Sequence, residues 1–209
     1  MHAVILAGGY GTRLRDIWDA PKCLVPVAGT PVIAHLLEKL ILLPNPPDKV
    51  VLVLGHKSSQ ILEWLWSYSK FRTYTMFDHV YVVVEEEPGG TAAALRRVLP
   101  TTIAPIMVMN GDTVPRYNLE PLLDAYARLE PHPKMLHGVA AWHKGRYAGI
   151  SILAQSAIDT IVAGKTTDLD FYLAGMYHHE VSEGYLDIGT PEDFYRAQGL
   201  NVLSIEEQA

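Results

Sequence analysis

The chain opens with a short apolar run, Ala3-Val4-Ile5-Leu6, that leads at once into Gly8-Gly9-Tyr10-Gly11. No other stretch limits the possible folds as strongly. An apolar run bounded by glycine reads as a buried β-strand. Three glycines in four positions let the following backbone turn tightly and bring its N–H groups close to a ligand. Arg13, Arg15 and Lys22 add positive charge beside that turn. A strand, a glycine-rich turn and nearby cations are the parts of a phosphate site in an α/β protein.

Two familiar phosphate loops are excluded by single positions. The dinucleotide fingerprint requires a third glycine three residues after Gly11, where this chain has Leu14. The P-loop closes on Gly-Lys-Ser/Thr, whereas Gly11 is followed by Thr12 and Arg13. Two readings are left: another kind of phosphate cradle, or a plain strand-end turn, since glycine is the default turn residue.

The rest of the first half alternates strands with helices. Thr30-Pro31 offers a cap and a proline at the first helical position. Ile33, Leu36, Leu37, Leu40 and Ile41 then recur at helical spacing until Pro44-Asn45-Pro46-Pro47 ends the helix. Val50 to Leu54 reads as a central parallel strand. Ser58-Ser59 reads as the cap of a second helix, and Val80 to Val84 as a third strand. Ala92 to Leu99 is expected to be helical, and Ala104 to Met109 a fourth strand that ends in Asn110-Gly111-Asp112. Such alternation predicts a doubly wound α/β sheet, in which ligands lie beyond the carboxyl ends of the strands. The glycine loop, the segment Glu87 to Thr91 and Asp112 all follow strands, so they are expected along one edge. The second half is less regular. Helix is expected over 119–129, strands over 135–142 and 147–153, helices over 157–162 and 168–173, and a short strand and turn over 184–189. Thr190-Pro191-Glu192-Asp193 then has the cap, proline and acidic first turn of a helix start. A frayed tail is expected over 204–209.

Composition narrows the classes of function. Apolar residues at 49% and charged residues at 19% describe an ordinary globular chain. A net charge of −6 without a basic stripe argues against nucleic acid as a partner. It leaves room for a local cationic pocket that takes a small anion. The single cysteine, Cys23, excludes an internal disulfide and suits a reducing cytoplasm. No charged-then-apolar leader opens the chain, and no apolar stretch approaches the ~20 residues of a membrane span. The sequence thus predicts a soluble, cytoplasmic protein with no membrane partner.

Leu6-Ala7-Gly8-Gly9-Tyr10-Gly11-Thr12-Arg13-Leu14, with Pro21-Lys22 downstream, resembles the signature of sugar-1-phosphate nucleotidylyltransferases. The resemblance extends from Ala3 to about Ala197. Through Asp19-Ala20-Pro21-Lys22 it looks closest to a short bacterial subgroup that includes heptose 1-phosphate guanylyltransferases. It implies one Rossmann-like α/β/α domain over 1–209 with a mixed, mostly parallel central sheet. A nucleotide-binding half would occupy 1–115 and a sugar-phosphate half 116–200. The implied reaction joins a nucleoside triphosphate, GTP in that subgroup, to a sugar 1-phosphate and yields an NDP-sugar and pyrophosphate. A homo-oligomer is compatible with this reading.

Bringing two anions together requires charge neutralisation and alignment more than proton transfer. Mg²⁺ prefers oxygen ligands, commonly one or two carboxylates. Asp112 and Asp187, each within two residues of a glycine, resemble the family's two metal-binding aspartates. Taken alone, Asn110-Gly111-Asp112 is more often a turn. The resemblance assigns Arg13 to the β- and γ-phosphates and Lys22 to the α-phosphate. Leu6, Ala7, Gly8, Gly9, Gly11 and Thr12 would hold the nucleotide, with Asn110 and Gly111 beside it. Glu87-Pro88-Gly89-Gly90-Thr91-Ala92 resembles the family's segment beside the base, which adds Glu87, Gly90 and Thr91; Glu85 to Glu87 also fit a solvated strand end.

On the acceptor side the family carries Glu-Lys-Pro and, later, Asn-Ala-Gly-Ile/Val-Tyr. This chain has only Trp142-His143-Lys144-Gly145-Arg146 before Tyr147-Ala148-Gly149-Ile150. Gly149 matches the glycine that approaches the sugar. Lys144 or Arg146 replaces the missing lysine at the sugar phosphate, or belongs to a cationic hairpin turn. Asp168 and Asp170 face sugar hydroxyls or cap a helix. The shortened segment keeps two rivals open: a catalytically silent sugar-nucleotide-binding subunit, and a glycosyltransferase that uses a preformed NDP-sugar.

Overall fold

The apolar opening of the chain becomes the middle of a sheet. The computed structural model describes residues 1–68, 79–87 and 89–199. Strand β1 (His2–Ala7) is followed by a two-stranded ribbon, β2 (Pro26–Val27) with β3 (Thr30–Pro31). Strands β4 (Lys49–Leu54), β5 (Val80–Val84) and β6 (Ile106–Asn110) come next, then a short β7 (Thr113–Pro115). The second half supplies β8 (Gly138–His143), β9 (Arg146–Leu153), β10 (Tyr177–Glu180) and β11 (Tyr185–Asp187). Seven of these form one sheet in the order β10-β8-β9-β6-β1-β4-β5. Only β9 runs against its neighbours there, so the sheet is mixed and mostly parallel, as expected.

Helices cover both faces. Ala3 and Ile5 point to one side and pack with Val50, Leu52 and Leu54 against α1 (Val32–Ile41) and α2 (Ser58–Ser67). Val4 points to the other and packs with Val51 and Val53 against α3 (Thr91–Val98). Leu122 of α4 (Glu120–Ala127) joins the first layer, and Ile158 and Ile161 of α5 (Gln155–Ala163) the second. Burial on both faces is why these strands read as continuous apolar runs. Each fully buried Ile or Leu contributes ~1.5–3 kcal/mol. Among the described residues, no helix is long and apolar enough to cross a membrane.

Several boundaries depart from the sequence expectation. Thr30 and Pro31 lie in β3, and α1 begins at Val32 without a side-chain cap. Ser58 is already helical; the residue before it, Lys57, takes the left-handed conformation and ion-pairs with Asp19. The strand expected from Met135 begins at Gly138, because the Met135 and Leu136 N–H groups donate to His132 and Gly175 instead. Helix α6 (Asp170–Leu173) starts two residues late, since the Asp168 carboxylate accepts the Asp170 N–H. Strand β10 was not anticipated, because its sequence Tyr-His-His-Glu lacks an apolar run. Helix α7 (Pro191–Ala197) has the expected start, with Thr190 and Asp193 forming a reciprocal capping box. Residues 204–209, expected as a tail, lie outside the described residues, as does Pro88.

Candidate active site

The carboxyl ends of β1 and β6 are pinned together. The Gly111 N–H donates to Leu6 O at 2.8 Å, and a Cβ at position 111 would lie only 2.7 Å from that oxygen. Glycine is therefore required there for the two strand ends to meet. A cleft of about 590 Å³ opens over this edge. Leu6, Ala7, Gly9 and Gly11 line it from the first strand and its loop, together with Thr12, Gly111 and Thr91. Gly11 adopts φ 62° and leads into a single tight turn, Thr12–Leu14, which buries Leu14 and leaves Arg13 exposed along the cleft. Lys22 opens a second such turn, Lys22–Leu24, and also lines the cleft. A smaller pocket of about 230 Å³ adjoins it, bounded by Gly8, Gly90 and Asn110. Cys23 is buried and its thiol is pushed up to about 12, first by burial, so it stays protonated and inert.

The carboxylates meet through strand register. Strand β7 runs on directly from Asp112, and β11 pairs antiparallel with it, so that Asp187 lies opposite Thr113. The Ile188 N–H donates to Asp112 O at 2.9 Å, and the Thr113 hydroxyl donates to Asp187 Oδ1 at 3.4 Å. Lys22 Nζ lies 3.4 Å from Asp112 Oδ2. Asp187 faces the open cleft, but protein walls displace much of its water. Burial first, and then the charge of Asp112, push its carboxyl up to about 6, with Lys22 and the Thr113 hydroxyl acting in the opposite sense. Asp112 and Asp187 line the same cleft, with Lys22 against Asp112, and two carboxylates beside one lysine leave unbalanced negative charge, which a divalent cation would relieve. Among the described residues no group of three or more acidic, histidine or cysteine side chains is placed to hold a metal. A two-carboxylate pair suits Mg²⁺, which completes its shell with water and substrate phosphates.

The expected acceptor residues are distributed differently. Gly149 has φ 84°, and a Cβ there would lie 2.7 Å from Thr113 Cγ2. It lets β9 pass close behind the threonine that holds Asp187, and it does not line the cleft. Lys144 and Gly145, both at positive φ, form the two-residue hairpin turn between β8 and β9. Lys144 is exposed, and its N–H donates to Glu180 Oε1 at 2.8 Å. This tight turn is what stands in place of the longer segment of the resembled family. Asp168 is exposed outside the cleft, whereas Asp170 lines it, with a carboxyl raised by burial and by Asp168. Thr91 is held in place because its hydroxyl accepts the Leu169 N–H at 2.9 Å. Glu87 is exposed and borders neither pocket; it is Glu85 that is buried, its carboxyl raised by burial against the pull of Arg97.

Sequence reasoning thus overlooked Glu85, Thr113 and Tyr10, the last of which lines the cleft and packs on His56 with centroids 5.6 Å apart. A signal for Glu85 was available. It directly follows an apolar strand, as the glycine loop follows β1. No sequence signal separates Asp170 from Asp168, because a single turn of helix decides which one faces the cleft.

The model of the family described as nucleotidyl transferase matches residues 2–161. The bifunctional protein GlmU of Methanococcus maripaludis is 30% identical over 125 residues, 59% of this chain and 28% of that protein. The mannose-1-phosphate guanyltransferase of Pichia angusta is 35% identical over 128 residues, 59% of this chain and 34% of that protein. The match therefore spans about a third or less of the length of either relative. Among solved structures, HddC from Yersinia pseudotuberculosis complexed with GMP-PN superposes with a TM-score of 0.69 over 94% of this chain and 97% of that one. At 23% identity this is a likeness of fold.

Proposed function

Because the chain belongs to the nucleotidyl transferase family, we propose that it transfers a nucleoside monophosphate from an NTP, with GTP as the donor, to a sugar 1-phosphate. The observation that carries this reading is the convergence of Asp112, Asp187 and Lys22 beside the glycine loop. The name of the Pichia angusta relative and the GMP-PN bound to the Yersinia protein support the same donor and acceptor classes.

In the reaction an oxygen of the sugar phosphate attacks the α-phosphorus. The new P–O bond forms as the bond to the β-phosphate oxygen breaks, and the electron pair leaves with pyrophosphate. Arg13 holds the departing β- and γ-phosphates with its planar fork. Lys22 acts as a point charge where negative charge builds on the α-phosphate. The N–H groups of Gly8, Gly9 and Gly11 cradle the triphosphate, and Gly90 and Thr91 flank the nucleoside. Asp170 receives hydroxyls of the acceptor. A Mg²⁺ held by Asp112 and Asp187 would neutralise charge on the two converging phosphates.

The test is pyrophosphate release measured for each common NTP against a panel of sugar 1-phosphates, with and without Mg²⁺. Metal-dependent turnover of at least one pair is expected. Nucleotide binding with no turnover of any pair would overturn the reading in favour of a silent binding subunit.

A further inference from the structure

Lys22 reaches the cleft from the end of a surface segment, Arg15 to Ala20, that has few ties to the rest of the fold. Trp18 packs on Phe194 with ring centroids 5.7 Å apart, and its Nε1 donates to Pro21 O at 3.2 Å. Among the described residues, only Lys57 hydrogen-bonds to the segment from a distant part of the chain. Its Nζ donates to Asp19 O at 2.9 Å and also to Asp19 Oδ1. The Lys57 hydrogen bond and charge hold the Asp19 carboxyl below its usual range, with Arg15 and His56 adding to the pull. Lys57 closes the loop after β4, where a Cβ on Gly55 would run into Gly8 O and where His56 packs on Tyr10. That loop is therefore pressed against the glycine loop and gives Lys57 a fixed base. Lys57 takes φ 57° there, a left-handed conformation that suits glycine better than lysine. Strain of this kind persists where the surrounding structure demands it, and it gathers at working sites.

We infer that Lys57 is a positioning residue: by holding Asp19 to the loop after β4, it fixes where the Lys22 ammonium stands in the cleft. The inference rests on the nucleotidyl-transfer reading above. Neither Lys57 nor Asp19 lines the cleft, so the pair acts on the reaction only through the segment it tethers. Ala20 and Pro21 alone separate Asp19 from Lys22, and Pro21 is buried with its φ locked by the ring, so the connection is stiff. Lys22 itself leans on Asp112 Oδ2 at 3.4 Å, too long a contact to hold it in place. A point charge acts on the transition state according to its distance, and a misplacement of ~1 Å can cost up to about 100-fold in rate. As a plain surface ion pair, Lys57 with Asp19 would contribute little to stability, and glycine would fit the backbone better. What lysine adds at position 57 is the tether.

The test measures kcat, the NTP KM and Tm of the full chain and of Lys57→Met, Lys57→Gly, Lys57→Arg and Asp19→Ala, with the NTP and sugar 1-phosphate that are turned over. Lys57→Met and Asp19→Ala are each expected to lower kcat about 10-fold and to keep the NTP KM within roughly 2-fold, because Lys22 acts on charge that builds in the transition state. The double variant is expected to lose no more than either single one, since both break the same tether. Lys57→Arg keeps the charge and is expected to recover most of kcat. Lys57→Gly relieves the positive φ, so Tm is expected to hold or rise while kcat falls as in Lys57→Met. A merely structural role predicts full kcat in that variant. Full kcat in folded Lys57→Met or Lys57→Gly would overturn the assignment. Full kcat in Asp19→Ala would overturn it too, because Lys57 would then act without the tether. If no pair is turned over, the nucleotidyl-transfer reading fails, and amide hydrogen exchange over Asp16 to Ala20 still decides whether Lys57 holds the segment. Exchange faster by at least about 5-fold in Lys57→Met and Asp19→Ala supports the tether, and unchanged exchange overturns it.

Discussion

The glycine-loop side of the cleft and its carboxylate side are built by different means. On the first, nearly every lining group comes from one continuous stretch between Leu6 and Lys22. On the second, Asp112, Thr113, Gly149 and Asp187 come from three distant segments that meet only through the pairing of β7 with β11 and the passage of β9 behind them. A continuous loop carries its geometry in its own backbone preferences. A constellation assembled by register is lost if one strand slips by a residue, because every side chain then changes face.

The largest effect is expected on the carboxylate side. Asp187→Ala should lower kcat/KM for pyrophosphate release by about 10³-fold or more while circular dichroism shows an intact fold. Near-full activity would remove Asp187 from the metal pair. Gly149→Ala comes next, since it combines positive φ with a methyl pressed against Thr113. It should cost ~2–4 kcal/mol, seen as a fall in Tm of roughly 5–10 °C. Gly9→Ala on the loop side meets nothing within 4 Å and should leave Tm nearly unchanged. Equal losses at the two glycines would erase the distinction between the sides.

A finer contrast lies within the acceptor wall. Asp170→Asn should raise the acceptor KM about 10-fold and leave the NTP KM alone. Asp168→Asn should change neither, and as a capping change it should cost only a few tenths of a kcal/mol to ~1 kcal/mol. The reverse pattern would make Asp168 the residue that meets the sugar.

The smallest effect is one of pH. Asp187 has its carboxyl raised from 3.8 to about 6 in the metal-free fold. A group that binds its proton more tightly when folded adds stability at low pH, and this contribution is lost as pH rises between those values. Metal-free protein should therefore lose thermal stability from about pH 4 to pH 6, measured as Tm against pH relative to Asp187→Asn, which should lack that component. Identical slopes would show that neither burial nor the charge of Asp112 raises the Asp187 carboxyl in the fold.

Much of the fold was legible because burial on both faces writes an apolar run that survives as a strand, as at Val50 to Leu54, while Val80 to Val84 was readable from its β-branched residues although it is a half-exposed edge strand. The exceptions have physical causes. Strand β10 is a polar edge, and β7 is three residues long, so neither writes a pattern. Thr30 and Ser58 are good capping residues, but tertiary pairing of β3 and the Lys57 turn overrode that preference. At the site, the glycine loop at a strand end was readable from residue type and spacing, and the two aspartates were singled out through the family resemblance. The choice between neighbouring acids was not readable.

By itself, the sequence determined the strand, the glycine turn and the cations that follow it. These depend on backbone preferences and spacing within a few residues, which side-chain identity encodes directly. Only the tertiary structure decided that Asp187 faces Asp112, that Glu85 and not Glu87 is buried beside Gly8, and that Asp170 and not Asp168 lines the cleft. Those outcomes follow from which strand ends share an edge and in what register, and contacts between distant segments leave no local trace in the chain.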